Sequence, residues 1–298
     1  MSHEWVHGPD SPYRVPHDDG FTLKDFSTVP PSDAPDKSER QQRLVSFVEE
    51  IDALQRVLYA DNRHAVLLVF QAMDAAGKDG TIRAVLSGVD PAGCQVTSFK
   101  RPSENELDHD FLWRHARSLP ERGRIGVFNR SWYEEVLAVR VHPEFLERQR
   151  LPWQPDSLDA LWQERYESIN GFERHLARNG TLILKFWLNV SREEQRERLL
   201  ERLKEPDKNW KFDINDMGER ARWDDFQVAY HHMLKETSKP WAPWYAIPAD
   251  SKSYMRCAVA EIIAQGLRRL DLKYPDASPE VRQKLRELIG ELRAKKGD

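Results

Sequence analysis

The chain has 298 residues, 40% of them hydrophobic and 32% charged, which supplies a sizeable core and excludes a small scaffold that needs cross-links to fold. Lys and Arg number 45 against 49 Asp and Glu, a formal net charge of −4, so no global basic field recruits nucleic acid or a membrane, and a polyanion must meet a local cluster of cations. Two cysteines, Cys94 and Cys257, exclude a disulfide framework and fit reduced thiols in a cytoplasmic protein.

Residues 1–37 hold six prolines and little apolar periodicity, and they read as an extended arm. The opening MSHEWVHGPD carries neither a basic nor an apolar leader region, so no secretory signal is expected. Trp5, Tyr13, Phe21, Leu23 and Phe26 predict that the arm lies along the body. Ser38-Glu39-Arg40-Gln41 has the spacing of a capping box. Leu44, Phe47, Val48, Ile51, Leu54 and Leu58 then keep the rhythm of one buried helical face. Residues 65–70, AVLLVF, are apolar on both faces, as a central parallel strand must be, and far too short to span a membrane. Similar stretches recur at 95–99, 124–128, 181–188 and 244–247, with helical patterns between them at 81–89, 105–118, 132–140, 158–178, 191–204 and 216–236. Strand alternating with helix predicts parallel βαβ units in a three-layer α/β/α sandwich. Residues 278–296 read as a charged amphipathic helix with Val281, Leu285, Leu288, Ile289 and Leu292 on one side.

The segment after the first strand carries the chemistry. Gln71-Ala72-Met73-Asp74-Ala75-Ala76-Gly77-Lys78-Asp79-Gly80-Thr81 joins a strand to a helix through small residues, a nest of backbone N–H groups for an anion with the helix dipole behind it. Ala75, Ala76, Gly77, Asp79, Gly80 and Thr81 are therefore candidate phosphate-binding positions, and Lys78 stands where a phosphate-loop lysine reaches the transferred group. Two departures from G-x-x-x-x-G-K-[ST] stand out: Ala72 replaces the first glycine and Asp79 the magnesium-holding hydroxyl. Asp74, inside the loop, can take over the metal.

The third strand ends in Asn129-Arg130-Ser131-Trp132-Tyr133-Glu134. Ligands of open α/β sheets gather at such strand ends. Here Asn129 is a candidate neutral ligand for a metal or a water, Arg130 a phosphate clamp and Glu134 a second carboxylate; Ser131 and Glu134 also match a capping box. Lys100 and Arg101 add cations at the end of the second strand. Residues 191–211 hold seven bases (Arg192, Arg196, Arg198, Arg202, Lys204, Lys208 and Lys211) against six acids. Most of this is a solvated helix face, but from Arg202 onward the bases predominate around Pro206, as a lid over a phosphate chain would require. His231 and His232 are adjacent and point apart, His109 and His115 lie on different faces, and Cys94 has no nucleophile's partners, so none is taken as a site. Lys252 reads as exposed, with a phosphate contact left open.

With these segments in place, the chain resembles polyphosphate kinase family 2. DAAGKDGTI, SFKRPSENELDHDFLWR, LPERGRIGVFNRSWYEEVL, RYESINGFERHL and ERLKEPDKNWKF match that family's blocks in order, from about Leu54 to Tyr274. Asn129, where many members have Asp, and Glu134, where many have Asn, resemble its third class, associated with phosphorylating nucleoside mono- and diphosphates. The resemblance implies a thymidylate-kinase-like P-loop fold with a parallel sheet and helical lid, Mg²⁺ as cofactor, and a dimer or tetramer. Together with the residue pattern it divides the chain into an arm (1–37), a phosphotransferase domain (38–275, lid about 191–222) and a C-terminal helix (276–298). It gives Asp74 to the metal, Lys78 to the transferring phosphate, Arg130 to phosphate beside it, and Glu134 to the second acceptor geometry. Arg202, Lys208 and Lys211 fall in the lid. The expected reaction is reversible transfer of the terminal phosphoryl group of inorganic polyphosphate to AMP and ADP, with guanine nucleotides left open and no membrane or nucleic-acid partner. Two rivals stand beside it. One is an ATP-dependent nucleotide kinase, against which the missing Gly-Lys-Ser/Thr argues. The other is a non-catalytic phosphate- or nucleic-acid-binding module, suggested by Trp132, Trp210 and Trp223 near basic segments.

Overall fold

The computed structural model describes residues 6–18, 20–152, 156–205 and 215–294. In chain order the elements are α1 (Lys37–Asp61), β1 (Ala65–Ala72), α2 (Lys78–Val85), β2 (Cys94–Ser98), α3 (Glu104–Leu107), α4 (Trp113–Ala116), β3 (Ile125–Asn129), α5 (Ala138–Val141) and α6 (Leu158–Arg178). They continue with β4 (Thr181–Asn189), α7 (Arg192–Lys204), α8 (Asn215–Ala221), α9 (Trp223–Thr237), β5 (Trp244–Pro248), α10 (Lys252–Arg268) and α11 (Pro279–Ala294).

All five strands pair in parallel in the order β2-β3-β1-β4-β5, with β1 at the centre and every one of its residues buried. Helices α1, α2 and α10 pack on one face; α5, α6 and α9 pack together on the other, where α6 meets β4. This is the expected three-layer α/β/α sandwich. The N-terminal segment runs along the β5 edge. Arg14 bridges Tyr245 antiparallel, the Val15 amide donates to the Trp244 carbonyl at 2.9 Å, and the Ala246 amide donates to the Tyr13 carbonyl at 2.8 Å. An edge that would otherwise offer unpaired backbone groups is thereby covered.

Some local expectations change. Asp36, not Ser38, caps α1: its carboxylate accepts the Glu39 amide at 2.9 Å. The stretch expected to be one helix over 105–118 breaks into α3 and α4, because Asp110 accepts the Leu112 amide at 2.9 Å and competes with the helical ladder. Residues 132–136 form a tight 3-10 turn before α5, and 216–236 divides at Arg222 into α8 and α9. Ser131 caps its turn by accepting the Tyr133 amide at 3.4 Å, while the Glu134 carboxylate faces Arg130 instead of closing a capping box. Trp132 and Trp223 are core side chains, and Trp210 lies outside the described residues. His115 is wholly buried among Phe99, Phe128 and Trp132. Burial and then Asp90 push the Cys94 thiol up to about 11, so it is inert at neutral pH. Among the described residues no helix is long and apolar enough to cross a membrane.

Candidate active site

The site is built where β1 and β3 end. Their register pairs Phe70 with Asn129, and the Arg130 amide donates to the Phe70 carbonyl at 3.1 Å, so the loop after β1 and the turn after β3 leave the sheet side by side. Three residues here have positive φ: Ala75 (62°), Gly77 (101°) and Arg130 (65°). Only glycine adopts this region without cost, so Ala75 and Arg130 are held there by their surroundings. Gly77 caps α2, with Lys78 and Asp79 in its first turn.

Arg130 is the hub of the charges. Its Nη2 donates to Asp74 Oδ1 at 2.8 Å, and its Nη1 lies 3.8 Å from Glu134 Oε2. Glu134 first, and Asp74 after it, raise the guanidinium's already high pKa. Lys78 is half-buried; desolvation and then Arg130 lower its pKa, with Asp74, Asp79 and Glu134 pulling the other way. Asn129 Nδ2 donates to Asp79 Oδ1 at 2.8 Å. Thr81 is buried and its hydroxyl donates back to the Gly77 carbonyl at 3.0 Å.

A cavity of about 630 Å³ opens beside this cluster. Asp74, Arg130 and Glu134 form one wall, Lys100 and Arg101 another, and Phe99, Phe145 and Phe226 supply apolar surface. Lys100 and Arg101 also line a second cavity of about 530 Å³ with Arg114 and Arg117. The structure thus brings Asp74, Arg130, Glu134, Lys100 and Arg101 to one cavity, with Lys78 within electrostatic reach of Arg130, Asp74 and Glu134 and Asn129 bonded to Asp79. Arg202, in the last turn of α7, lines neither of these cavities, and Lys208 and Lys211 lie outside the described residues. Lys252 pairs with Glu201 at 3.5 Å.

Tyr230 and Glu219 also line the larger cavity and were not singled out from the sequence. Tyr230 is buried, and its phenol is pushed well above its usual pKa by that burial and by Glu134. Glu219 stands 3.0 Å from His142 Nε2, and burial raises its carboxyl pKa. No local motif marks either; α8 and α9 bring them in through tertiary packing.

The donor set bears on the metal. Mg²⁺ is commonly held by one or two carboxylates together with waters and substrate phosphates. Asp74 and the amide oxygen of Asn129 offer that kind of partial shell, and among the described residues no group of three or more His, Cys, Asp or Glu forms a cage without substrate. The residues fit an ion that arrives with a phosphate chain.

The polyphosphate kinase 2 family model matches residues 34–275, a span that holds all five strands and the loop after β1. The chain belongs to the polyphosphate kinase 2 family. It is 54% identical over 256 residues, 86% of its own length and 89% of the relative's, to an ADP-polyphosphate phosphotransferase of Rhodopseudomonas palustris. It is 45% identical over 267 residues, covering 88% and 94%, to an AMP/ADP-polyphosphate phosphotransferase of Meiothermus ruber. The crystal structure of polyphosphate kinase 2 from Arthrobacter aurescens superposes with a TM-score of 0.85 at 38% identity, covering 97% of this chain and 98% of that one. Polyphosphate kinase 2 membership makes the chain one of a phosphotransferase family, on a P-loop kinase-like fold.

Proposed function

We propose that the chain is a cytoplasmic, magnesium-dependent polyphosphate kinase. It transfers the terminal phosphoryl group of inorganic polyphosphate to AMP and to ADP, reversibly. The observation that carries this reading is the Asp74–Arg130 pair, 2.8 Å apart, with Lys78 behind it at the mouth of a cavity of about 630 Å³. Phosphoryl transfer asks the protein mainly for in-line placement and charge neutralisation. A phosphate oxygen of the nucleotide attacks the terminal phosphorus, the bridging P–O bond breaks, and the chain leaves one unit shorter. Lys78 and Arg130 neutralise the phosphoryl oxygens, and the loop amides of Ala75 and Gly77 hold the neighbouring phosphates, the Ala76 amide being bonded to the Met73 carbonyl at 3.2 Å. Magnesium, held by Asp74 with Asn129 beside it, supplies further charge neutralisation. Glu134 orients the acceptor in the geometry that AMP requires. Phe99, Phe145 and Phe226 offer the base an apolar wall, which leaves adenine and guanine nucleotides both admissible.

In this reading residues 38–275 form the catalytic domain, 1–37 an arm, about 191–222 a lid carrying Arg202, Lys208 and Lys211, and 276–298 an appended helix. The protein works as a dimer or tetramer, for which α11 offers Val281, Leu285, Leu288, Ile289 and Leu292, all exposed. The test is incubation of protein and Mg²⁺ with AMP or ADP, and with polyphosphate or ATP as donor. Polyphosphate must convert AMP to ADP and ADP to ATP. Conversion of AMP with ATP alone, and none with polyphosphate, would make it an ATP-dependent nucleotide kinase.

A further inference from the structure

Behind the phosphate loop lies a buried arginine for which the cavity walls do not account. Arg198, midway along α7, has a side chain only 5% exposed, although its neighbours in sequence read as a solvated, charge-striped face. Its Nη1 donates to the carbonyls of Ala76 at 2.6 Å and Ala75 at 3.4 Å, and its Nη2 to those of Ala249 at 2.6 Å and Asp250 at 3.2 Å. Its Nε donates to Glu194 Oε1 at 2.7 Å. A guanidinium has five N–H donors in a planar fork, and here each has an acceptor.

Gln195, one turn earlier and also buried, extends the pattern. Its Nε2 donates to the Asp74 carbonyl at 3.0 Å, and its Oε1 accepts from Arg220 Nη1 at 2.7 Å. Arg220 donates as well to the Arg192 carbonyl at 2.8 Å. The carbonyls of three successive loop residues, Asp74, Ala75 and Ala76, are therefore all claimed by α7 side chains, and α7 is fastened in turn to α8. A trans peptide is planar, with its C=O and N–H on opposite sides. Drawing these carbonyls toward α7 turns the amide of Gly77 away from it, and a permanent cation lies beneath the loop. The same bonds hold Ala75 at φ 62°, which an alanine does not adopt unaided.

We propose that Arg198, assisted by Gln195, is a positioning residue. It holds the 74–77 loop in its anion-receiving shape and ties that shape to the α7–α8 segment. The inference rests on the phosphotransfer reading above, and it acts through the loop peptides, since Arg198 itself lines neither cavity.

The test compares Arg198→Ala and Arg198→Lys with the parent protein, measuring kcat, KM for polyphosphate and KM for ADP, and the folded fraction by circular dichroism. Displacing a catalytic loop by an ångström costs about 10²-fold in rate. Arg198→Ala should lose about that much kcat, raise KM for polyphosphate and leave KM for ADP within about twofold; guanidinium ion at non-denaturing concentration should restore at least about tenfold. Arg198→Lys keeps the charge but not the fork, and serves if the alanine variant does not fold; it should lose about tenfold in kcat. Wild-type kcat and polyphosphate KM in Arg198→Lys overturn the proposal. So does a loss in Arg198→Ala that follows the folded fraction and does not answer to guanidinium. If Asp74→Asn is inactive while Arg198→Lys is normal, only this inference fails. If Asp74→Asn is fully active, the phosphotransfer reading fails first.

Discussion

Two clusters of charge sit against the same sheet and are built to opposite ends. At the tip of β1 and β3, Arg130, Asp74 and Glu134 are 40%, 24% and 21% exposed, and face a cavity. Between β4 and α6, Lys185 and Glu173 are 0% exposed. Lys185 Nζ donates to Glu173 at 2.7 Å, to the Tyr133 hydroxyl at 2.7 Å and to the Thr237 carbonyl at 2.8 Å, so all three of its protons are used. Glu173 also accepts from Tyr133 at 2.6 Å and from the Trp132 indole at 3.3 Å. The second cluster is closed on itself. The first is left with charge to offer, which is what a phosphate chain needs. On the function proposed, satisfaction, more than residue type, separates a structural ion pair from a reactive one.

Substitutions can break this contrast, and the largest effect falls at the tip. Asp74→Asn and Lys78→Ala should each lower kcat by about 10³-fold or more with the urea midpoint unchanged, because the lost charge acts on the transition state. Lys185→Met should do the reverse. Leaving Glu173 buried without its partner costs about 3–5 kcal/mol in urea unfolding, while kcat per folded molecule is retained. A catalytic defect in that variant with normal stability would erase the distinction. Glu134→Asn sharpens the comparison within the tip itself: the ratio of AMP to ADP turnover should fall about five- to tenfold, and an unchanged ratio removes the class-determining role.

A pH-dependent effect on stability concerns His115, buried beside the tip. Burial first, then Arg114, lower its pKa from 6.5 to about 3. The unfolded chain then binds a proton that the folded one refuses. Stability is complete above about pH 6.5 and falls by up to about 1.4 kcal/mol per pH unit as pH drops toward 3. Urea midpoints at pH 7 and pH 4.5 should converge in His115→Phe relative to the parent protein.

Much of this was legible in the residues. All five strands lie where apolar runs placed them, since strands buried on both faces leave an unmistakable signature. The 71–81 loop and the Asn129–Glu134 turn announced themselves through residue types that serve anions and metals. Where breaks within 105–118 and 216–236 were missed, local side-chain bonds such as Asp110 to the Leu112 amide overrode the apolar rhythm. Tyr230 and Glu219 reach the cavity only through packing. Arg198 was hidden differently: four residues after Glu194, it reads as half of a surface ion pair, and only the fold shows that the arginine is buried against the loop.

The most direct measurement is a crystal structure with polyphosphate and Mg²⁺ bound. The terminal phosphates should lie on the 74–77 loop, in contact with Lys78 and Arg130, with the metal on Asp74. A chain seated only along the Lys100–Arg117 cavity, with the loop free of phosphate, would contradict the account.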